Sequence, residues 1–242
     1  MTLKLLHPLY CLGVIYMKIS VNIKTKFKTP IIAACLIIAL LPLTLLLLSI
    51  ARISETRDIL AEWRPAAKPA DAISYDPTAS LEQNMAATLS RCGETAILGG
   101  AGGTSKKDPQ ASYYGRGWTT EGQWWQLSDI STSGYERVEL SFTVKSSDTG
   151  PKNFALEYSK DGQNWLSLTD DKNVPIKYTI DPGTKFQQQG PYRLSSAVND
   201  RENLFIRFIN TDQESITGAT TKSTGTNYIT DIVLTGVRGE EN

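Results

Sequence analysis

The stretch VELSFTV, residues 138–144, alternates apolar and polar side chains along its whole length. Since successive side chains of a strand point to opposite faces, a period of two predicts a strand with one buried and one solvated face. Residues 154–158 (FALEY) repeat the pattern, with Phe154, Leu156 and Tyr158 at the apolar positions. The two stretches indicate an antiparallel sheet that covers a core on one side.

Further strands are predicted on both sides of these two. LFIRFI at 204–209 and YITDIVLTGV at 228–237 are rich in β-branched and aromatic residues. Other candidate strands lie at 85–90, 94–99, 112–119, 123–128, 164–168, 175–180 and 191–195. Short strands separated by Gly, Pro, Asn and Asp turns predict an all-β fold, an antiparallel β-sandwich of the jelly-roll type. We expect this sandwich to span residues 73–238 and to end in a short tail, 239–242.

A long apolar segment precedes the sandwich. Residues 31–50, IIAACLIIALLPLTLLLLSI, are twenty residues without a charge. A helix of that length rises about 30 Å, the thickness of the hydrocarbon core of a bilayer. Because basic flanks are retained in the cytoplasm, the lysines before this segment predict an N-terminal transmembrane signal anchor. Residues 1–30 are then cytoplasmic, and the C-terminal body lies outside the cell membrane.

Two alternatives concern cleavage after this segment and the start of the chain before it. Ser49-Ile50-Ala51 is a small-x-small pattern, so cleavage near Ala51 would give a secreted protein instead. Met17-Lys18 opens a conventional basic leader and is an alternative translation start.

Residues 51–72 connect the predicted anchor to the predicted sandwich. Ile59, Leu60 and Trp63 fall on one side of a helical projection, so we expect a short juxtamembrane helix over residues 53–63. RPAAKPA, residues 64–70, would follow it as a stiff Pro/Ala linker.

The formal net charge of zero conceals two unlike parts of the chain. Residues 1–51 contain five lysines and no acidic residue, whereas the rest contains five more acidic than basic residues. An acidic body lacks the basic face that binds phosphates, so we expect no nucleic-acid partner.

Three motifs resemble a known class of module. SSDTGPKNFALEYSKDGQNW (146–165), NLFIRFIN (203–210) and GTNYITDIVLTG (225–236), in this order, resemble exported bacterial jelly-roll modules of the galactose-binding-like and discoidin-like kind. The resemblance implies a non-catalytic accessory domain of a secreted or surface protein, and it leaves the ligand open. It also implies Asp231 as a candidate ligand of a structural Ca²⁺; the alternative is an Asp that hydrogen-bonds a neighbouring loop.

Aromatic residues supply the candidate binding site. Trp118, Trp124 and Trp125 cluster in sequence with Tyr114, and an exposed ring of this kind can stack on a sugar. Adjacent residues of a strand face opposite ways, so one of Trp124 and Trp125 should be buried and the other exposed.

Other features of the predicted strands add two candidates and a turn. Arg207 and Glu157 occupy outward positions of their strands, where they form either a cross-strand pair or a ligand contact. Asp161-Gly162 predicts a hairpin turn clamped by Tyr158 and Trp165.

The catalytic possibilities are narrow. The only histidine is His7, and Cys92 is the only cysteine after residue 51, so no Ser-His-Asp or Cys-His machinery can form in the body. We therefore predict a membrane-anchored extracytoplasmic module, not an enzyme, that binds a glycan or envelope polymer. The alternative is a protein–protein scaffold of an envelope complex, docked through an apolar patch around Phe205 and Ile209.

Overall fold

The computed structural model describes residues 56–65, 72–92, 98–101, 111–183 and 185–240. These residues form strands β1 Asp58–Trp63, β2 Ser74–Tyr75, β3 Ala79–Ser80, β4 Thr88–Arg91, β5 Leu98–Ala101, β6 Ala111–Arg116, β7 Trp124–Ile130, β8 Tyr135–Ser146, β9 Asn153–Ser159, β10 Leu166–Ser167, β11 Lys177–Thr179, β12 Gln187–Arg193, β13 Leu204–Asn210 and β14 Thr226–Arg238. Single 3-10 turns occur at Glu82–Asn84 and Ser196–Val198.

The strands make two antiparallel sheets. The first has the order β12-β8-β14-β1-β3, and β6 also pairs with β14 and carries β5 on its other side. The second has the order β10-β9-β13-β7-β4-β2, with β11 also paired to β9. The predicted all-β antiparallel sandwich is confirmed. The predicted transmembrane segment, residues 31–50, lies outside the described residues, and none of the helices within them is long and apolar enough to cross a bilayer.

The core lies between the two sheets and follows the predicted alternation. In β8, Val138, Leu140, Phe142 and Val144 are all fully buried, and the residues between them face outward. Phe142 meets Phe208 of the second sheet edge-on, with ring centroids 4.8 Å apart. The apolar positions that set the period of two therefore form the contact between the sheets.

Strand β14 is the centre of the first sheet. It pairs with β8 on one side, whereas on the other side it pairs first with β6, from Thr226 to Ile229, and then with β1, from Ile232 to Gly236. A bulge between Thr230 and Val233 marks the change of partner, and Asp231 there has a φ of 48°. One long strand thus holds three others in the same sheet.

The predicted helix over residues 53–63 is wrong, because residues 58–63 form β1, a strand inside the first sheet. A register shift between Ile59 and Ala61 places both Leu60 and Ala61 in the core. Two adjacent buried residues break the alternation of a strand and imitate helical spacing. The sandwich therefore begins with β1 rather than at residue 73, and the Pro/Ala segment connects β1 to β2.

We predict that β1 is essential for folding. Leu60 and Trp63 are fully buried, and their burial is worth about 5 kcal/mol, comparable with the whole stability of many domains. A fragment of residues 56–240 should unfold cooperatively on heating, whereas residues 73–240 should show no cooperative transition by circular dichroism. Equal melting temperatures for the two fragments would contradict the placement of β1.

We predict that Tyr178→Phe stabilises the protein. Tyr178 is buried against Phe142 and Phe154, and its hydroxyl has no hydrogen-bond partner among the described residues. Removing an unpaired buried hydroxyl should raise the free energy of unfolding by about 1 kcal/mol in urea titrations. Tyr192→Phe is the matched control, since the Tyr192 hydroxyl donates to Gln189 Oε1 at 3.1 Å and its loss should not stabilise.

We predict that Tyr178→Phe also changes how the stability of the protein depends on alkaline pH. Burial raises the pKa of Tyr178 well above its ordinary value. Stability that depends on the neutral phenol is present below about pH 10 and is lost as the pH rises above it. Tyr178→Phe should therefore lose less stability than the parent above about pH 10, and an identical loss would contradict the burial of this group.

Candidate functional site

Two of the predicted ligand-binding residues lie in the core. Trp118 and Trp125 are fully buried; Trp118 Nε1 donates to the Gly115 carbonyl at 2.9 Å, and Trp125 Nε1 donates to Asn227 Oδ1 at 2.7 Å. Rings enclosed between two sheets cannot stack on a sugar, so the prediction of ligand contacts for these two residues is wrong. The expectation that Trp124 and Trp125 face opposite ways is confirmed, because Trp124 is half-exposed on the outer face.

Trp124 belongs to a cluster on the outer face of the second sheet. Arg207 Cζ of β13 lies 4.5 Å from the Trp124 ring centroid and 3.7 Å from that of Trp165. All three side chains are half-exposed. A guanidinium stacked on aromatic rings is held in one orientation, because its flat surface and its charge both favour the ring faces. We call Trp124, Trp165 and Arg207, with Gln126 and Glu157, the Trp–Arg face.

Polar groups of the Trp–Arg face come from neighbouring strands in register. Arg207 pairs with Gln126 of β7 on one side and with Glu157 of β9 on the other, so the predicted cross-strand alignment of Arg207 and Glu157 is confirmed. Arg207 Nε donates to Gln126 Oε1 at 2.8 Å. Burial lowers the pKa of Arg207, and the Glu157 carboxylate raises it. The face therefore holds one cation and one anion side by side.

A tight hairpin carries Trp165 to this face. The Asp161 carboxylate accepts hydrogen bonds from the amides of Gln163 and Asn164, both at 2.8 Å, and Gly162 has a φ of 71°. Hydrogen bonds from the Asn164 backbone and side chain, the Gln163 amide and Ser159 hold the pKa of Asp161 well below its usual range. The predicted Asp-Gly hairpin turn is confirmed.

The sequence analysis missed the role of Trp165. It interpreted this residue as a hairpin clamp, whereas the ring contacts Arg207 of another strand. The sequence did contain a signal for this contact. Arg207 and Glu157 were both predicted to face outward, and the predicted hairpin that follows Glu157 ends in Trp165. Gln126 was also missed, although it lies two residues after Trp124 and so on the same face.

Asp231 forms an ion pair with Arg64. It sits at the bulge of β14, with Oδ1 3.1 Å from Arg64 Nε. Within the described parts of the chain, no three His, Cys, Asp or Glu residues are grouped to hold a metal ion. Calcium prefers six to eight oxygen ligands, so Asp231 as a Ca²⁺ ligand stays a prediction.

Tyr114 lies on the opposite side of the sandwich from the Trp–Arg face. It points outward from β6 of the first sheet, and its ring centroid is 5.4 Å from that of Tyr228. The predicted ligand-binding residues thus divide into three groups: Trp118 and Trp125 in the core; Trp124, Arg207 and Glu157 on the second sheet; and Tyr114 on the first.

Comparison with known proteins finds similarity at the level of structure. No protein-family model and no curated protein matches the chain. The CBM22-1 xylan-binding domain from Paenibacillus barcinonensis is 12% identical, with 77% of this chain and 99% of that one covered and a TM-score of 0.38. The family 30 carbohydrate-binding module of a Clostridium thermocellum cellulase is 16% identical, with coverages of 72% and 96% and a TM-score of 0.37.

A third similar structure is the N-terminal cellulose-binding domain of Cellulomonas fimi β-1,4-glucanase C. It is 9% identical, with 54% of this chain and 80% of that one covered and a TM-score of 0.34. Similar solved structures thus include carbohydrate-binding modules. Because the TM-scores are below 0.5, these similarities assign no ligand to this chain.

We predict that Asp161→Ala loosens the hairpin before Trp165 without unfolding the sandwich. The amides of Gln163 and Asn164 lose their acceptor, so their hydrogen exchange should accelerate while strand amides keep their protection. Because the pKa of Asp161 is depressed, the parent loop should loosen in the same way as the pH falls below about 4. Gln163→Ala, which keeps its backbone donor, is the matched control; equal acceleration there would contradict the role of the carboxylate.

Proposed function

We propose that this chain is a membrane-anchored, extracytoplasmic, non-catalytic module that binds a neutral glycan through the Trp–Arg face. The observation that carries the proposal is the stacking of Arg207 on both Trp124 and Trp165, with centroid distances of 4.5 and 3.7 Å.

The chemistry of the face supports a sugar ligand. A pyranose ring presents C–H groups on its faces and hydroxyls around its edge. Half-exposed indoles can cover the C–H groups with burial of apolar surface, while Gln126, Glu157 and Arg207 offer donors and acceptors to the hydroxyls. These polar groups project from paired strands, so little conformational entropy is lost when a ligand binds.

The charge of the face supports a neutral ligand. Glu157 stands beside Arg207 in register, so the cation is already balanced before any ligand binds. A carboxylate or phosphate on the ligand would gain the attraction of Arg207 and meet the repulsion of Glu157 at the same place. A hydroxyl group, which can donate to one and accept from the other, suits the pair better.

The same face supports binding without hydrolysis. Glycoside hydrolysis by side chains ordinarily uses two carboxyl groups on either side of the bond that breaks. The Trp–Arg face supplies one carboxylate, Glu157, whose charge interacts with Arg207. This face positions aromatic rings and hydrogen-bonding groups together with only one acid. It is therefore suited to binding a polymer rather than to hydrolysing it.

The proposed location rests on the sequence. Residues 31–50 form an uncharged apolar run preceded by lysines, and the body that follows is acidic. By the positive-inside rule this arrangement keeps the N-terminus in the cytoplasm and exports the body. A module of this kind would meet envelope polysaccharides directly.

We predict that Trp124→Ala and Trp165→Ala each weaken binding to a neutral polysaccharide at least about tenfold, equivalent to about 1.4 kcal/mol. Each substitution removes an apolar surface for a sugar ring and uncovers one side of Arg207. The measurement is retention of the full-length chain, in a neutral detergent, on an array of neutral polysaccharides, followed by titration with the polymer that binds best.

Ile59→Ala is the matched control, because Ile59 is an exposed apolar residue on β1 of the other sheet. It should leave binding unchanged. Retention of no neutral polysaccharide by the parent chain, or equal binding by both Trp variants, would refute the glycan proposal. If the parent chain instead cross-links to one dominant envelope protein, and Phe205→Ala abolishes the cross-link, the protein-scaffold alternative is correct.

A further inference from the structure

The outer face of the first sheet carries a second row of aromatic side chains. Tyr228 of β14 pairs with Tyr114 of β6 on one side and with Lys145 of β8 on the other. Phe186, just before β12, packs edge-on to Tyr228 with ring centroids 6.3 Å apart. We call these four residues, with Arg116 at the end of β6, the aromatic–cation row.

The cations of this row lie beside its rings. Lys145 Nζ is 5.5 Å from the Phe186 centroid and 5.7 Å from that of Tyr228. Arg116 Cζ is 5.9 Å from the Tyr114 centroid, and its side chain is exposed. Arg116 therefore gives the row an exposed positive charge.

A polar groove continues from the row along the same face. Gln188 and Thr143 pair in register, and each lies two residues beyond a member of the row, Gln188 after Phe186 and Thr143 before Lys145. Because side chains repeat on one face every second residue, these two stand beside the row. The groove has a volume of about 260 Å³ and is lined by Arg64, Ser141, Phe142, Thr143, Gln188 and Asp231.

We propose that this face is a second glycan site, separate from the Trp–Arg face, and that it takes an acidic polysaccharide. A uronate ring packs on Tyr228 and Tyr114 with its carboxylate toward Lys145 and Arg116. The hydroxyls of the next sugar unit enter the polar groove, where Gln188, Thr143 and Ser141 supply donors and acceptors. The chain would then hold two different glycans on opposite sides of one sandwich.

The charge of the row selects the acidic ligand. A carboxylate placed near the exposed Arg116 gains attraction from its guanidinium, whereas a neutral sugar gains none. Arg offers a planar set of donors that fits a carboxylate. The polar groove favours a hydroxyl-rich chain over a lipid surface, because hydroxyls of the ligand replace the water that hydrates Gln188, Thr143 and Ser141.

The test compares two acidic polymers with the methyl ester of one of them, which lacks the carboxylate charge. Full-length chain in neutral detergent is titrated with polygalacturonate, with its methyl-esterified form and with alginate, by calorimetry at low and at physiological salt. We expect binding to polygalacturonate or alginate, at least about tenfold weaker binding to the methyl ester, and loss of affinity as salt rises.

Variants locate the binding on the first sheet. Arg116→Gln, Lys145→Gln and Tyr228→Ala should each weaken acidic-polymer binding at least about fivefold, whereas Tyr228→Phe keeps the ring and should bind as the parent does. Trp124→Ala should not change this affinity, and Tyr228→Ala should not change the binding of a neutral polysaccharide. Thermal unfolding of each variant identifies any loss of binding that comes from misfolding. The two Gln variants alter outward side chains, so they still test the site if Tyr228→Ala fails to fold.

Several outcomes would overturn the inference. Failure to bind either acidic polymer would do so, as would equal affinity for the methyl ester. If Trp124→Ala abolishes acidic-polymer binding and Arg116→Gln has no effect, the acidic polymer binds at the Trp–Arg face instead. Binding to vesicles containing phosphatidylglycerol, without binding to either acidic polymer, would assign the row to a membrane surface instead. Loss of neutral-polymer binding alone refutes only the earlier proposal, so the two failures are distinguishable.

Discussion

One buried hydrogen bond joins the two sheets and determines what each of them shows to solvent. Trp125 of β7 in the second sheet donates to Asn227 of β14 in the first, at 2.7 Å, and both residues are fully buried. Asn227 Nδ2 in turn lies 3.0 Å from Ser146 Oγ of β8. A slip of either strand by one residue would bury an unpaired amide or indole N–H and turn a core side chain outward, so the bond strongly disfavours any other register.

Both candidate binding faces follow from this bond. Trp124 precedes Trp125 and must point away from the core, where it meets Arg207. Tyr228 follows Asn227 and must point away on the opposite side, where it meets Tyr114. The polar pair inside therefore sets the positions of the aromatic residues outside, through nothing more than the alternation of side chains along a strand. Changes at Asn227 should consequently disturb both faces together.

Sequence patterns predicted those parts of the fold where alternation is regular. The sequences of β8 and β9 alternate apolar and polar residues over most of their length, and both strands were predicted within a few residues. β1 was predicted as a helix, because the register shift between Ile59 and Ala61 makes two adjacent residues buried. A bulge depends on the partner strand, so it leaves no reliable mark in the local sequence.

The candidate site was predictable only in part for a related reason. The outward register of Arg207 and Glu157 follows from each strand alone, and so does the opposite orientation of Trp124 and Trp125. The contact of Trp165 with Arg207 depends on which strands are neighbours, and so does the burial of Trp118 beneath Arg91, whose Cζ is 4.6 Å from the ring centroid. Those relations arise from the pairing order of the sheet, which short motifs do not encode.

One edge of the first sheet disfavours edge-to-edge association between copies of this domain. β12 is one of the edge strands of this sheet, and its pairing with β8 shifts register between Gln189 and Tyr192, across Gly190-Pro191. Pro191 has no N–H to offer to another strand, and the irregular register bends the edge away from a straight ladder. A second copy therefore finds no continuous template there. Domains concentrated side by side along a polymer are therefore hindered from joining through their β12 edges.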